Sequence, residues 1–429
     1  MSKSTKNSNK SDTIDINIAD LEEDHRPIVF KMAETDHVDS NDDIFNYPSD
    51  PQLSVNIDYP KFSLGFHHFI HQSKDKMEIT KDFEGKKKVY HIFNRFERYI
   101  DDYDSAIGDK AIAYFGLDPN TKLTNSFFKL WELLIMHRLV SEKNNSLNVA
   151  MYGHDLQTGI NAIKFFVRSM NVKNDKYYAY TTGREVVASQ KNVFVFTGKQ
   201  TEKSKMNLII ANLKFTEANK NVQEQAAFYQ ILEAFLNTLQ TQEVGGNFVC
   251  KLYETFTMST VKLLYLINTF YNECYITKPL TSKKSNSEKF FICLGFKAQK
   301  DLAKRIKVIE SINRVAMDNE NRFIVNIFPE FLLPVEYYVK IIKLNTTIGN
   351  KQFTNINDMV EFIQKQNYRG DVYENRRRMQ IESSDYWTTN MFPSEKDFIA
   401  RKNQMEQLTK ALVNFNDSQI ERLGKKLTI

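Results

Sequence analysis

The chain has 429 residues, with 58 Lys and Arg against 53 Asp and Glu and a formal net charge of +5. Hydrophobic residues make up 41% and charged residues 26%, the balance of a soluble globular protein, and the length excludes a single small core in favour of one large or two to three modest domains. A mild basic excess permits RNA binding without demanding it, and no apolar run is long enough to span a bilayer, since the best, Leu263 to Tyr271, is short and follows Lys262.

Taken in chain order, residues 1–50 are dominated by Ser, Lys, Asn and Asp and read as a disordered polar tail without a hydrophobic signal segment. Residues 51–118 turn helical, with His91, Ile92, Phe93, Phe96, Tyr99 and Ile100 at helix spacing. Residues 119–300 alternate strand and helix signals, which predicts an α/β layered fold. Strands are expected at 147–152, 177–180, 193–197, 206–211, 247–252, 274–277 and 289–294, and helices at 126–138, 160–171, 222–238 and 257–272. Residues 301–429 read as helical, with segments at 302–311, 335–342, 356–366 and 394–415. Cys250, Cys274 and Cys293 all fall on apolar strands and read as reduced core residues, which points to a reducing, cytoplasmic compartment.

The most informative stretch is Gly245-Gly246-Asn247-Phe248-Val249-Cys250-Lys251. A glycine turn opens an apolar strand that carries one lysine, and a lysine is costly to bury without a partner or a task. Glu288, just before the last strand, is a candidate partner. Between them lie Thr277-Lys278-Pro279 and the polar, basic loop that runs through Ser282, Lys283, Lys284 and Ser287.

This pattern resembles the carboxyl half of FtsJ-like 2′-O-methyltransferases, and the resemblance covers about residues 119–297. It implies a Rossmann-like methyltransferase sheet of about seven strands, with an antiparallel last pair and helical extensions at both ends. It also implies S-adenosylmethionine as cofactor, RNA as partner, and methylation of a ribose 2′-hydroxyl. The family surrounds that hydroxyl with a Lys-Asp-Lys-Glu tetrad. Lys129, on the helix Asn125-Ser126-Phe127-Phe128-Lys129-Leu130-Trp131-Glu132, matches its first lysine. Lys251 matches the central lysine and proposed base, and Glu288 matches the glutamate. Lys278, Ser282, Lys283, Lys284 and Ser287 would line the RNA groove.

Three positions depart from the family. Asn212 stands where the aspartate belongs, and an amide carries no charge to offset two lysines. The cofactor loop reads Tyr152-Gly153-His154-Asp155-Leu156-Gln157-Thr158-Gly159, so Gly153, Asp155 and Gly159 are its candidate contacts in place of a glycine-rich cradle. The second strand ends Tyr180-Thr181-Thr182, with Thr181 at the position of the acid that binds the cofactor ribose and Glu185 displaced. The expectation is weak cofactor binding.

The overall look is that of the FtsJ-like proteins of large cytoplasmic DNA viruses, such as that of African swine fever virus. That suggests capped viral mRNA as the RNA, and the host cytoplasm or virion as the location. The departures also fit a second expectation, an inactive methyltransferase fold kept as an RNA-binding or structural subunit of a viral transcription or virion assembly. Elsewhere, His67, His68 and His71 have the spacing of a helical metal pair, but no neighbouring acid or cysteine in sequence completes a set, so no metal is expected. Lys86-Lys87-Lys88 and Arg376-Arg377-Arg378 read either as solvated faces or as phosphate contacts, and Gly198-Lys199 lacks the rest of a phosphate-binding loop.

Overall fold

Ten strands organise the chain: β1 (Ile28–Lys31), β2 (Gln52–Ser54), β3 (Ser146–Gly153), β4 (Asn174–Thr181), β5 (Val193–Thr197), β6 (Met206–Asn212), β7 (Gln242–Leu252), β8 (Tyr271–Lys278), β9 (Lys289–Phe296) and β10 (Phe323–Asn326). The structure is a computed structural model that describes residues 18, 21–33, 43–96, 107–121, 123–141, 146–181, 187–197, 204–214, 222–299, 301–319 and 321–427. Eight strands form one sheet in the order β1-β8-β9-β7-β6-β3-β4-β5, and β2 pairs with β10 in a second, small sheet. Pairing from β5 through to β7 is parallel. β9 runs antiparallel to both β7 and β8.

The helices are α1 (Leu64–Lys76), α2 (Ile107–Phe115), α3 (Asn125–Met136), α4 (Leu156–Ser169), α5 (Gln223–Thr241), α6 (Met258–Asn268), α7 (Leu302–Asp318), α8 (Val335–Gln364), α9 (Asp371–Met391) and α10 (Phe398–Leu427). Side chains alternate across the strands, so the sheet has two apolar faces and needs cover on both. Phe248, Cys250 and Leu252 of β7 join a core with α5, α6 and α8. Val249 points the other way, into a core with α3, α4 and α10. By the same parity Lys251 lies on the α3 side, as do Asn212 of β6, after Leu208 and Ile210, and Gly153 of β3, after Val149 and Met151. The three cysteines are free and buried. Among the described residues no helix is long and apolar enough to cross a membrane.

The seven expected strands all form, and an eighth joins them. β1 lies within the stretch expected to be a disordered tail. It pairs antiparallel with β8, Val29 opposite Thr277, and both Val29 and Phe30 are fully buried. An apolar Ile-Val-Phe triplet is enough to claim a free edge once β8 exposes its hydrogen-bonding groups. The expected helices at 335–342 and 356–366 are one continuous helix, α8. Its polar middle is accommodated by tertiary contacts: the Asn345 amide donates to Thr255 O at 2.7 Å and accepts from Thr255 Oγ1 at 2.6 Å. α9, which carries the Arg376–Arg378 run, was not expected. The segment around His91 is a short 3-10 turn, Val89–Phe93, not a long helix, and residues 97–100 lie outside the described ones. So do Thr182, Glu185, the Gly198-Lys199 pair and residues 1–17.

Gly153 shows how tightly the sheet edge is built. Its φ is +97°, and a Cβ there would sit 2.3 Å from Asn212 O. Both the left-handed backbone and the contact demand glycine. Gly153→Ala is expected to destabilise the fold by at least about 2 kcal/mol in urea denaturation; a change near zero would show that β6 yields at this point.

Candidate active site

The carboxyl ends of β6, β7 and β8 and the start of antiparallel β9 meet at one edge of the sheet, the edge where open α/β sheets bind ligands. Asn212 closes β6, Lys251 is the penultimate residue of β7, Lys278 closes β8 and Glu288 precedes β9. Lys251 pairs with Phe290 across the β7–β9 ladder, which brings Glu288 beside it although 37 residues separate the two in sequence. From above, α3 lowers Lys129 onto the same carboxylate.

Glu288 is the centre of this arrangement. Lys129 Nζ lies 2.5 Å from Glu288 Oε1, and Lys251 Nζ lies 3.3 Å from Oε2. Glu288 has 5% of its side-chain surface exposed and each lysine 12%. Burial alone would raise the Glu288 carboxyl, but Lys129 and Lys251 beside it, with Lys278 nearby, hold it well below the ordinary carboxylate range. Ser282 Oγ donates a further bond to Oε1 at 3.1 Å. Lys251 Nζ also stands 5.5 Å from the Tyr253 ring centre, a cation–π distance.

Lys129, Lys251 and Asn212 border one cleft with Ser126, Met151, Asp155 and Gly159. Lys129, Lys251 and the start of α4 therefore share a single space. Asp155 holds a left-handed backbone with φ of 56°, and its Oδ2 accepts from Ser126 Oγ at 2.5 Å.

The expected cofactor residues divide. Asp155 and Gly159 border the cleft. Gly153 is spent on the close approach of β3 to β6. Gly159 also packs against its own sheet, since a Cβ there would meet the Met151 methyl at 2.1 Å. Thr181 is buried at the end of β4. The two structural glycines of a nucleotide-type turn are thus present, the one at the tight turn and the one at the helix–strand contact, whereas the position between them, where backbone would approach a ligand, carries side chains. The cleft offers the Asp155 carboxylate to a cationic group such as an ammonium. Asn212 is committed to the turn as well. Its Nδ2 donates to His154 O at 2.8 Å, and its backbone O accepts from His154 N at 2.9 Å.

The expected RNA-contact residues also divide. Lys278, Ser282 and Ser287 are buried. Lys278 Nζ donates to Ser282 Oγ at 3.2 Å, Asn286 O at 2.9 Å, Asn286 Oδ1 at 3.0 Å and Glu288 O at 2.8 Å. It shapes the loop from within, and burial pulls its ammonium down to about 7. Lys283 and Lys284 are the half-exposed members, and they border a cleft with Asn94, Arg95 and Asn125. Lys284 pairs with Asp24, which also lies 2.5 Å from Arg95.

Sequence reading missed Glu132, one turn beyond Lys129. Its fully buried carboxylate accepts from Leu280 N at 2.6 Å, Thr281 N at 3.2 Å, Thr281 Oγ1 at 3.0 Å and Trp387 Nε1 at 3.1 Å. It ties the helix bearing Lys129 to the loop leading to Glu288. The available signal was an acid inside the apolar run Leu130-Trp131-Glu132-Leu133-Leu134.

Comparison with known proteins agrees with this geometry. Residues 126–296 match the FtsJ-like methyltransferase family. The chain is 26% identical over 228 residues to cap-specific mRNA (nucleoside-2′-O-)-methyltransferase 1A of Caenorhabditis briggsae, covering 51% of this chain and 26% of that protein. It is 35% identical over 105 residues to cap-specific mRNA (nucleoside-2′-O-)-methyltransferase 1 of Dictyostelium discoideum, covering 24% and 14%. It is also 26% identical over 195 residues to the inactive cap-specific mRNA (nucleoside-2′-O-)-methyltransferase 1B of Caenorhabditis briggsae, covering 44% and 22%. The matches span about a quarter or less of the lengths of these relatives.

The Glu288 cluster sets a pH dependence. A carboxyl depressed on folding stabilises the native state above its unfolded value near 4.5, and that contribution is lost as pH falls towards the folded value. At low pH a protonated Glu288 resembles glutamine. The stability difference between wild type and Glu288→Gln should therefore shrink steadily as pH falls from about 5 to about 3. A constant difference across that range would mean that the lysines do not hold the carboxylate ionised.

Proposed function

We propose that this chain is an FtsJ-like RNA ribose 2′-O-methyltransferase whose substrate is the cap region of mRNA. The observation that carries the reading is the convergence of Lys129 and Lys251 on the buried Glu288 carboxylate, at the edge of a cleft shared with the start of α4. The names of the cap-specific relatives support the substrate class.

S-adenosylmethionine, when bound, supplies the electrophilic methyl group, and Asp155 and Gly159 are the cleft residues proposed to hold it. The ribose hydroxyl is the nucleophile. Lys251 Nζ is the group placed to take the hydroxyl proton as the oxygen gains its methyl group. Lys129 holds the same oxygen from the α3 side. Glu288 fixes both lysines and offsets their charge, and Ser282 fixes Glu288. Lys283 and Lys284 supply cations for RNA phosphates at the rim. The catalytic unit is residues 119–300, with the helical regions 51–118 and 301–429 packed around it. The resemblance to proteins of large cytoplasmic DNA viruses extends the reading to capping of viral mRNA in the host cytoplasm or the virion.

A second reading has its own observation. The Asn212 amide donates to His154 O, a bond that an ionised aspartate cannot make. This position is therefore built for an amide rather than the family's acid. An inactive, RNA-binding methyltransferase fold is consistent with that, and one of the similar proteins is named inactive.

Two measurements separate these readings. In a methyl-transfer assay on capped RNA, Lys251→Ala should lower the rate at least about 100-fold while leaving RNA affinity within a few-fold, because the proton acceptor acts in the transition state. A Lys251→Ala protein with wild-type rate would remove Lys251 as the base, and a wild-type protein with no transfer would favour the inactive fold. Isothermal titration with S-adenosylmethionine should give weak binding. Each hydrogen bond missing from a buried polar group costs about 1–3 kcal/mol, so two losses weaken binding by orders of magnitude. Micromolar or tighter affinity would show that other residues make up the missing contacts.

A further inference from the structure

The histidine pair on α1 lacks a third ligand in the sequence, and the fold supplies one. His67 and His71 are one helical turn apart, the i and i+4 spacing that puts two imidazoles on one face. Their ring centres are 4.0 Å apart, with 30° between the planes. The segment leaving β7 brings Glu254 against them from 183 residues away, three residues beyond Lys251. His71 Nε2 lies 3.2 Å from Glu254 Oε2. One nitrogen from each histidine and one carboxylate oxygen all lie within 4.8 Å of one another.

We propose that His67, His71 and Glu254 form a binding site for a zinc-class divalent metal ion, which clamps α1 to the segment that follows the Lys251 strand. Two imidazoles and one carboxylate are a donor set for zinc and its neighbours, not for magnesium or calcium, which prefer oxygen ligands throughout. Ligands of a tetrahedral ion bonded at about 2.0–2.2 Å stand about 3.3–3.5 Å apart. His71 and Glu254, at 3.2 Å, are already within about 0.1 Å of that separation. Only His67 has to move, and it is half-exposed, at the mouth of the site, with Phe256 edge-on to its ring at 5.2 Å.

Glu254 is prepared for this task by its neighbours. Its side chain is 2% exposed, and Lys74 pairs with Oε1, leaving Oε2 turned towards the histidines. Ligating carboxylates are commonly held from behind in this way. The Lys74 charge opposes a divalent ion, so the affinity should be moderate. The site is separate from the methyl-transfer cleft, and the inference stands whether or not the chain transfers methyl groups.

The test uses the full chain stripped of metal with a chelator and titrated with cobalt(II), then with zinc. Wild type should bind one cobalt with the visible absorption of a four-coordinate site, lose that absorption to one equivalent of zinc, and unfold at a higher temperature with zinc present. His67→Gln, at a half-exposed position that tolerates change, should weaken cobalt binding at least 10-fold and abolish the zinc-dependent thermal shift. His71→Gln should do the same if it folds, as judged by circular dichroism. His68→Gln, on the exposed neighbouring position, should bind as wild type does. Wild type without a bound equivalent, or His67→Gln with wild-type affinity and thermal shift, would overturn the proposal.

Discussion

The buried Glu288 carboxylate, held between two lysine ammonium groups, is the constraint around which the rest of the site is arranged. Taking a carboxylate out of water is expensive unless opposite charges and hydrogen bonds replace its hydration. Lys129 and Lys251 provide the charges, and Ser282 provides a hydrogen bond. The reverse also holds. Neither lysine could sit this deep without the carboxylate, so each of the three groups makes the burial of the others tolerable. The result is a pair of amines fixed in direction at the lip of a cleft, which is what positioned acid–base or electrostatic chemistry needs.

Everything that delivers these three residues is itself pinned by buried polar groups. Glu132 gathers two backbone N–H groups of the 280–281 segment together with the Trp387 indole of α9. Lys278 fills the loop from below, with four acceptors gathered around its three N–H groups. A carboxylate and an ammonium thus shape opposite ends of one loop, and neither needs to touch a substrate to matter. The contacts through Trp387 make the carboxyl-terminal helices part of the support for the site. The amino-terminal segment contributes as well: β1 extends the sheet beside β8, α10 donates to it from Asn416 Nδ2 to Val29 O at 2.7 Å, and α8 donates from Lys340 Nζ to Lys31 O at 2.9 Å.

The turn between β3 and α4 follows a different logic. Glycine survives at the two positions where backbone or a core side chain presses against it, Gly153 and Gly159, and not at the position between them where a ligand would press. Packing requirements and ligand requirements are therefore separable in this turn, and the packing requirements are the ones retained. Asn212 fits the same pattern, because its amide completes the turn around His154.

Much of this was legible from residues alone. Period-two apolar strands and apolar helices predicted the seven-stranded α/β core, because a buried sheet must show its faces in sequence. One lysine in an apolar strand, and one glutamate before the last strand of the sheet, marked the Lys251–Glu288 pair, because charges at such positions need partners. Local pattern carries no information about partners distant in the chain. The joining of two helix signals into α8 was decided by Thr255, which accommodates Asn345. The β1 strand was decided by a free sheet edge far along the chain, where Val29 meets Thr277. The burial of Lys278, Ser282 and Ser287 was decided by how the loop folds back over Glu288, and the meeting of Glu254 with His67 and His71 by the path of the chain after β7. The sequence by itself determined which segments are apolar and which charges are anomalous. Only the tertiary structure decided which of those charges meet, because burial and pairing depend on distances in space, which sequence separation does not encode.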